Sequence, residues 1–410
     1  MKISKSLFLA FAGLGLFACS NEDVTTSIDN TGDRSLVIKL DGLTASRSVG
    51  NPVNDDDSDK KVATTLNDVA IVLSDGSTIY GVNTLKSTDG GDWTQLTTST
   101  TGYIIHEVSS HVREVHVIGN YAENAELKSW VETTQTTPTS SNVSQMKAKV
   151  VQANTQQDFT KVTLFGEDVA LTTVSGGDTA GDPNHDVEEG TTTHTMLQAE
   201  VNLKHLVSRI EIGNIQCDDL GTMYKQLTLR YIGLLNYYNQ IHLDGTTPEV
   251  AMTLDNVLEP GTTTIGEDKY CWSDPDISET KYNDYKWAWD EIATGAVITD
   301  KGTPWNPTLN EGTGKFVYQF IPDEVSGKNF NVKLYLDAVE NNGAVSAFHT
   351  VTAKFEGGSA ISEEPGKIYK VDFKFGEENI GPWNPSEVIC VKVTVSVEDW
   401  TIQTVTPTFE

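Results

Sequence analysis

The regular alternation of apolar and polar residues is the feature that most constrains the fold of this chain. Near the C-terminus, apolar side chains stand at every second position, with Lys or Asp between them: Tyr369, Val371, Phe373 and Phe375. Successive side chains of a β-strand point to opposite faces of a sheet. This spacing therefore predicts a strand with one buried face and one exposed face.

Short strands separated by turns are predicted for most of the chain beyond Val62. Further apolar runs read "VAIVL", "VHVIGN", "QLTLRYIGLL" and "VKLYLDAV", and the segments between them are rich in Gly, Asp, Asn, Thr and Ser. No amphipathic segment longer than about two helical turns stands out, and the Thr- and Ser-rich segment from Val131 to Ser144 is predicted to be a loop. The pattern favours an all-β protein of antiparallel β-sandwiches over βαβ units.

The length of the chain predicts two domains. Of its 410 residues, roughly 390 remain once a leader segment is removed, which is enough for two hydrophobic cores. The longest polar stretch, from Thr172 to Thr195, is the expected connection or a large surface loop. We therefore expect an N-terminal domain over residues 48–195 and a C-terminal domain over residues 196–410, opening with the strand "LQAEVNLKHLVSRIEIGNI".

The amino terminus has the pattern of a signal peptide over residues 1–18. Lys2 and Lys5 precede an apolar run from Leu7 to Phe17 that is too short to span a bilayer as a helix. The run ends in "LFAC", which resembles the lipobox of bacterial lipoproteins, so Cys19 is the expected site of lipidation. The following "SNED" is similar to the surface-export signal of Bacteroidales lipoproteins. A secretory peptide with a chance cysteine is the alternative.

A strand and a protease site follow each other closely in "SLVIKLDGLTASRSVG", residues 35–50. Leu36, Ile38 and Leu40 share one face of the predicted strand. Arg47 lies a few residues later among small polar residues, in a setting that suits a trypsin-like protease. The question raised by this stretch is why a core strand should be followed directly by a cutting site.

A second candidate cutting site is Arg34 in "GDRS". A cut there releases a lipid anchor but leaves the strand in place. Cutting between Arg47 and Ser48 removes the strand, and we prefer this site for that reason.

The C-terminus changes the parity of its apolar positions. Trp400 and Ile402 occupy even positions, whereas four valines before them occupy odd positions: Val391, Val393, Val395 and Val397. Because side chains alternate faces with a period of two, a switch near Glu398 predicts a bulge, a bend or a change of partner strands. The last ten residues are expected to belong to a different sheet from the residues before them.

Charge and motifs exclude several classes of function. The chain carries 58 acidic and 29 basic residues, for a formal net charge of −29. This charge disfavours binding to nucleic acid or to an anionic membrane surface through bulk electrostatics. No nucleophile elbow, phosphate-binding loop, dinucleotide fingerprint or HExxH motif occurs. We therefore predict that the chain is not an enzyme and needs no cofactor.

A metal site is also not expected. His106, His111 and His116 recur every fifth residue, which places successive imidazoles on opposite faces of an extended strand. The acidic run over residues 54–59 lacks the Gly and the distal Glu of a calcium-binding EF-hand. Four cysteines occur without a CxxC or a Cys/His cluster, and one disulfide among the last three stays possible: Cys19, Cys217, Cys271 and Cys390.

A cluster of aromatic residues supports an alternative function. Aromatic rings offer apolar faces to the C–H groups of sugars, and six of them lie close together in the second half of the chain: Tyr270, Trp272, Tyr282, Tyr285, Trp287 and Trp289. The alternative to the interpretation below is therefore a surface glycan-binding lipoprotein. Ordinary core and loop packing explains the same cluster.

Taken in order, these segments resemble the fimbrillins, the type V pilins of the Bacteroidales, and in particular their shaft-forming subunits. The resemblance runs over nearly the whole chain, from Cys19 and "SLVIKL" with Arg47, through "VAIVLSDG", "VREVHVIGN", "VNLKHLVSRIEI" and "GKIYKVDFKF", to "CVKVTVSVEDWTIQTVTPTF". The closing segment is the most specific of these, and the order and spacing of all of them carry the resemblance.

The resemblance implies two transthyretin-like β-sandwich domains and assembly by strand exchange. Residues 19–47 become a lipidated propeptide that an Arg-specific protease removes at the outer membrane. The emptied groove then accepts the C-terminal strand of another copy, and the donor residues carried over from the family are Trp400, Ile402, Val405 and Phe409. The implied partners are further copies of the chain, accessory fimbrial subunits and host or bacterial surface receptors, and the implied destination is an extracellular fimbrium for adhesion and colonisation.

Overall fold

A computed structural model describes thirteen segments of the chain: residues 34–41, 43–45, 63–98, 102–174, 195–235, 237–247, 286–298, 304–306, 316–322, 331–354, 365–382, 392–399 and 402–404. Strands dominate these segments and form two sandwiches, which confirms the all-β prediction. Among the described helices, none is long and apolar enough to cross a membrane.

The first sandwich is built from the N-terminal half of the described chain. Its strands are β1 Arg34–Asp41, β2 Leu43–Ala45, β3 Thr64–Leu66, β4 Asp68–Ser74, β5 Ile79–Lys86, β6 Tyr103–Ile105, β7 Glu114–Gly119, β8 Val150–Gln152, β9 Leu164–Asp168, β10 Thr172–Thr173, β11 Thr195–Asn202 and β12 Lys204–His205. Its helices are α1 Gly91–Thr98, α2 Ala125–Thr136 and α3 Val143–Lys147. Short 3-10 turns cover Tyr121–Glu123, Pro138–Ser140 and Ala153–Gln156.

Two sheets enclose the first core. One has the strand order β10-β11-β1-β6, and the other has the order β12-β9-β7-β4-β5. They approach closely at Gly166 of β9, where an added Cβ would lie 2.5 Å from the carbonyl oxygen of Asn202 in β11. Strand β4 lies between β7 and β5 in the second of these sheets. Every residue of β4 is buried, in agreement with its largely apolar sequence DVAIVLS.

The second sandwich is built from β13 Ser208–Cys217, β14 Tyr224–Leu235, β16 Trp289–Ile298, β17 Val317–Phe320, β18 Asn331–Glu340, β19 Val345–Lys354, β20 Lys367–Phe375, β21 Gly381–Pro382 and β22 Lys392–Asp399, and two further strands lie outside its sheets, β15 Gln240–His242 and β23 Ile402–Thr404. The 3-10 turns here cover Lys286–Ala288 and Glu377–Asn379. Its sheets have the orders β17-β13-β20-β22 and β16-β14-β18-β19-β21. Most pairs are antiparallel, but β13 and β20 pair in parallel.

The alternation that predicted strand β20 is confirmed. Tyr369, Val371, Phe373 and Phe375 are all buried in the second core, whereas Lys374 is exposed. The parity switch at the C-terminus is confirmed as well, because β22 pairs with β20 whereas β23 joins β2 and β3.

The division between the two cores lies later than the expected boundary at residue 195. Strand β11 pairs with β1, and β12 pairs with β9. Apolar residues of this region belong to the first core: Ala199, Val201, Leu203, Leu206 and Val207. Residues 195–207 therefore complete the N-terminal sandwich, and β13 opens the second one. The polar stretch before Thr195 does not mark the boundary, because the sheet containing β1 needs the strand that follows it.

The predicted loop from Val131 to Ser144 is wrong in its first part, which is the second half of helix α2. The side chain of Asn124 caps this helix by accepting hydrogen bonds from the backbone N–H groups of Glu126 and Leu127. The buried face is formed by Leu127, Trp130, Val131 and Thr134, with helical spacing. Thr residues in the last turns hid this pattern, because Thr has a low helix propensity.

Contacts between the two sandwiches are polar as well as apolar. Strand β15, which follows β14 in the chain, pairs with β8, and its Ile241 is buried in the first core. Gln157, before β9, bonds to both the backbone N–H and the carbonyl of Gln319 in β17. The guanidinium of Arg209 in β13 lies 4.3 Å from the ring centre of Phe159. The first sandwich is thus held against the second through side chains that follow β8.

Candidate strand-exchange site

Strand β1 lies inside a sheet of the first sandwich and has a partner on each side. It pairs in parallel with β11, where Leu36 faces Leu197 and Ile38 faces Ala199. On its other side it pairs antiparallel with β6. Removing β1 would therefore leave two strand edges facing each other across a gap.

The side chains of β1 contribute directly to the first core. Leu36 and Ile38 have no exposed surface, and Leu40 is half-buried against the same core. Val37, on the opposite face, is buried too, at 4% exposure. Full burial of an aliphatic side chain of this size contributes about 1.5–3 kcal/mol. The predicted leader strand is thus an integral part of the fold that is described here.

The start of β1 is fixed by hydrogen bonds. The carbonyl of Arg34 accepts a bond from the N–H of Val108 at 2.9 Å, and its guanidinium Nη1 donates to the carbonyl of Ser110 at 3.1 Å. Arg34 also faces Thr195 in the ladder with β11. The alternative cutting site at Arg34 thus lies in paired strand, which a protease reaches only after local opening.

Gly102 provides the close approach to β1 from the side of β6. Its φ of +83° lies in the left-handed region, and an added Cβ would lie 2.7 Å from the carbonyl oxygen of Ile38. A side chain at position 102 would therefore collide with the backbone of β1.

A small three-stranded sheet lies beside β1 in the chain. Strand β23 is its middle strand and runs parallel to both neighbours, β2 and β3. Ile402 faces Leu43 on one side and Thr64 on the other. The C-terminal segment of the chain is therefore paired with residues that directly follow the leader strand.

Strand β3 is anchored in the first domain. Leu66 is fully buried in the first core. The hydroxyl of Thr64 donates to the carbonyl of Phe159 at 3.0 Å and lies 2.9 Å from Nε2 of His205. This strand therefore belongs to the body of the domain, whereas β2 continues directly from β1.

The structure describes only some of the residues predicted for this site. It describes the side chains of Leu36, Ile38 and Leu40, and it places the backbone of Ile402 in β23. The other predicted site residues lie outside the described segments: Cys19, Arg47, Ser48, Trp400, Val405 and Phe409. Pairing with β6 and β11 gave no signal in the sequence, because neither segment carries a motif that identifies its partner.

A polar cluster that sequence reasoning missed crosses three strands of the other sheet. Ser74 Oγ lies 3.1 Å from His116 Nε2, and His116 Nδ1 lies 3.0 Å from Glu167 Oε2, which is the order of a Ser–His–acid triad. Ser74 and His116 have no exposed surface, so the hydroxyl is closed to a substrate. Lys147 pairs with Glu167 at 2.8 Å. The cluster cross-links β4, β7, β9 and α3.

The predicted histidine series does not converge. His111 stacks on Tyr80 with ring centres 5.4 Å apart, and His106 lies near Ser35, whereas His116 belongs to the buried cluster. Burial lowers the pKa of His116, and the nearby Glu167 opposes this effect. Across the described segments, no group of three metal-ligating side chains comes together.

The aromatic cluster is described only at its end. Trp287 is half-buried, touches both cores and packs edge-on against Tyr237, with ring centres 5.1 Å apart. For Trp289 only the backbone, in β16, is described, and the other four members of the cluster lie outside the described residues. Packing is thus the role that the described contacts of Trp287 support.

Comparison with solved structures identifies the fold. The chain is similar to a candidate cell adhesion protein from Bacteroides eggerthii, with a TM-score of 0.52 and 15% identity over 91% of this chain and 98% of the other. The fold of the chain is that of this adhesion protein. A candidate cell adhesion protein from Parabacteroides distasonis matches with a TM-score of 0.50 and 13% identity, over 90% and 97% of the two chains.

A fimbrilin from Porphyromonas gingivalis matches with a TM-score of 0.46 and 11% identity, over 92% of this chain and 99% of the other. No protein-family model matches the chain, and no curated protein matches it. The similarity to the adhesion proteins of Bacteroides eggerthii and Parabacteroides distasonis covers both sandwiches, so it extends to the domain that contains β1.

Proposed function

We propose that this chain is the structural shaft subunit of a surface fimbrium, polymerised by strand exchange that a protease triggers. A cut between Arg47 and Ser48 removes β1, and the C-terminal segment of another copy then occupies the emptied position between β6 and β11. The donor segment includes Trp400, Ile402, Val405 and Phe409.

The position of β1 carries this proposal. A strand with two fully buried side chains, Leu36 and Ile38, lies between two partner strands. It is followed within ten residues by an arginine in a small, polar sequence. Loss of such a strand exposes apolar surface and two rows of backbone donors and acceptors, which favours the addition of a strand from another chain. The fold shared with cell adhesion proteins is consistent with this role.

The route to the surface follows from the leader. In the proposed pathway, Cys19 carries the lipid that holds the precursor at the outer membrane, and an Arg-specific protease releases it into an extracellular fimbrium. The partners are other copies of the chain and accessory fimbrial subunits. Receptors on a host or bacterial surface are the proposed targets of the assembled fimbrium in adhesion and colonisation.

Limited trypsin treatment of the folded precursor tests the proposal. We expect shortening at Arg47 and a ladder of oligomers on unboiled denaturing gels. Deletion of residues 400–410 is expected to abolish the ladder without preventing the cut. A cleaved chain that stays monomeric at high concentration would contradict the proposal.

Arginine variants provide the matched controls. With an arginine-specific protease in place of trypsin, which would also cut after Lys60 and Lys61, Arg47→Ala is expected to stay uncut at this position and to form no ladder, whereas Arg34→Ala is expected to behave like the unmodified chain. Ladder formation by Arg47→Ala after cutting at Arg34 alone would assign the trigger to Arg34 instead.

A further inference from the structure

The middle strand of the small sheet, β23, has neighbours from opposite sides of the proposed cut. On one side it pairs with β2, where Leu43, Thr44 and Ala45 face residues 402 to 404 in order. On the other side it pairs with β3. Arg47 follows β2 and precedes β3 in the chain, so cutting there assigns the two neighbours of β23 to different fragments.

We propose that the propeptide also clamps the chain's own C-terminal strand, so that a single cut both empties the acceptor position and releases the donor. This inference rests on the proposed function, because it describes how that function is kept inactive in the precursor. In the uncut chain the position of β1 is filled, and residues 402–404 are held between β2 and β3. Premature assembly is thus blocked at both ends of the chain.

The two propeptide strands are expected to leave together. Only residue 42 separates the end of β1 at Asp41 from the start of β2 at Leu43. Strand β2 pairs with no described strand other than β23. When β1 leaves, β2 is therefore expected to leave with it, and β23 loses all of its pairing with β2.

The remaining ladder with β3 is short. Strand β23 has three residues, and an isolated pair of strands is at best marginally stable in water. Strand β3 itself stays in the domain through Leu66 and Thr64. The expected result of the cut is thus a fixed β3 edge and a C-terminal segment that exchanges freely between paired and unpaired states.

The site of the cut decides whether this release occurs. A cut at Arg34, at the first residue of β1, leaves both β1 and β2 connected to the rest of the chain. Any cut between residues 46 and 63 separates β2 from β3. A chain cut only at Arg34 is therefore expected to keep its C-terminal strand paired.

A disulfide between two paired residues of β2 and β23 tests the clamp in the full precursor. Ala45 faces Thr404 in the parallel ladder, and adjacent strands lie within the range of Cα distances that a disulfide spans. We expect the double variant Ala45→Cys with Thr404→Cys to form this bond in the uncut chain. After trypsin treatment it should keep the propeptide attached and form no ladder, and a reductant should restore the ladder.

The matched control is Thr44→Cys with Thr404→Cys, because residues one position out of register point to opposite faces. It should form ladders without reductant. Ladders from the fully oxidised Ala45 and Thr404 pair would overturn the clamp, and so would failure of that pair to crosslink in the precursor.

Hydrogen exchange separates the clamp from polymerisation itself. In the cut chain at a concentration below that of ladder formation, backbone amides of residues 402–404 should exchange at least roughly tenfold faster than in the precursor. Unchanged exchange overturns the clamp even if ladders form. Faster exchange without ladders at any concentration supports the clamp and contradicts the proposed fimbrial assembly.

Discussion

The hydroxyl of Thr64 and Nε2 of His205 lie 2.9 Å apart and join strand β3 to β12. Because the hydroxyl donates its proton to the carbonyl of Phe159, it accepts the bond from His205, which places a proton on Nε2. His205 is 4% exposed. The edge of the small sheet that remains after the proposed cut is therefore fixed by a buried imidazole.

Acid is expected to destabilise the first sandwich through His205. Burial lowers the pKa of this imidazole to about 3, from about 6.5 in an unfolded chain. The unfolded state thus binds more protons between these values, and the contribution to stability is complete above pH 6.5 and falls as the pH decreases toward 3. Between pH 7.5 and 5 we expect a loss of about 2 kcal/mol in the free energy of unfolding, measured by urea denaturation.

The variant His205→Gln provides the control for this pH dependence. Its amide is able to donate to Thr64 but does not titrate, so its unfolding free energy should fall less over the same pH range. Equal dependence of the unfolding free energy on pH in the two proteins would show that the pKa of His205 does not differ between the folded and unfolded states. His116 stays in both proteins, so its share of the pH dependence cancels in the comparison.

Truncation of one buried side chain of the leader strand is expected to lower the stability of the precursor but not that of the polymer. Ile38→Ala removes a fully buried side chain that faces Ala199 and Tyr103. A loss of about 2–5 kcal/mol is typical of such a change. Urea denaturation of the uncut chain should show it, whereas the assembled polymer, which has lost residues before the cut, should match the unmodified polymer.

Lys39→Ala is the matched variant on the same strand, because Lys39 is only half-buried. It should change the stability of the precursor by less than about 1 kcal/mol. If Ile38→Ala destabilised the polymer as much as the precursor, the leader strand would have to remain in the fibre.

The sequence predicted the strands with alternating residues, and β1 among them, but not the neighbours of β1. Period-two patterns such as that of β20 show which face of a strand is buried, because apolar residues occupy the positions that face the core. Pairing of β1 with β11 depends on residues about 160 positions apart, and no local pattern encodes a partner. The position of β23 between β2 and β3 was hidden for the same reason, although the parity switch near Glu398 indicated that the partner strands change.

Glu377 is expected to hold the turn between β13 and β14. Its carboxylate accepts four backbone N–H bonds, from Gly221, Thr222, Met223 and Tyr224, at 2.7 to 3.1 Å. Burial by itself raises the pKa of this carboxyl, but the four donors outweigh it and lower the pKa below its usual value. Stability from Glu377 is therefore present at neutral pH and lost as the pH falls below its usual pKa.

The substitution Glu377→Gln should lower the free energy of unfolding of the second sandwich by about 2–3 kcal/mol, because bonds to a charged acceptor are lost. Thermal unfolding at pH 7 measures this effect. The exposed neighbour offers a matched control, Glu378→Gln, with a change of less than about 0.5 kcal/mol. A similar small effect for both variants would mean that the turn is held by other contacts.

The junction between the sandwiches is expected to depend on Gln157. Strand β17 lies at the edge of its sheet. The side chain of Gln157 forms hydrogen bonds with the outer edge of β17, as a neighbouring strand would. Its Nε2 donates to the carbonyl of Gln319 at 2.8 Å, and its Oε1 accepts from the N–H of the same residue at 3.2 Å. Gln319 is fully buried, so water does not replace these bonds.

The substitution Gln157→Ala should therefore cost about 1–3 kcal/mol, the typical penalty for buried groups left without partners. Urea denaturation gives the total, and hydrogen exchange at the amide of Gln319 should become faster while exchange in the body of β4 stays unchanged. Gln95→Ala, at an exposed position of helix α1, is the matched control and should leave both measurements unaltered. Unchanged protection of Gln319 in Gln157→Ala would mean that the edge of β17 is held by the strand pairing with β13 alone.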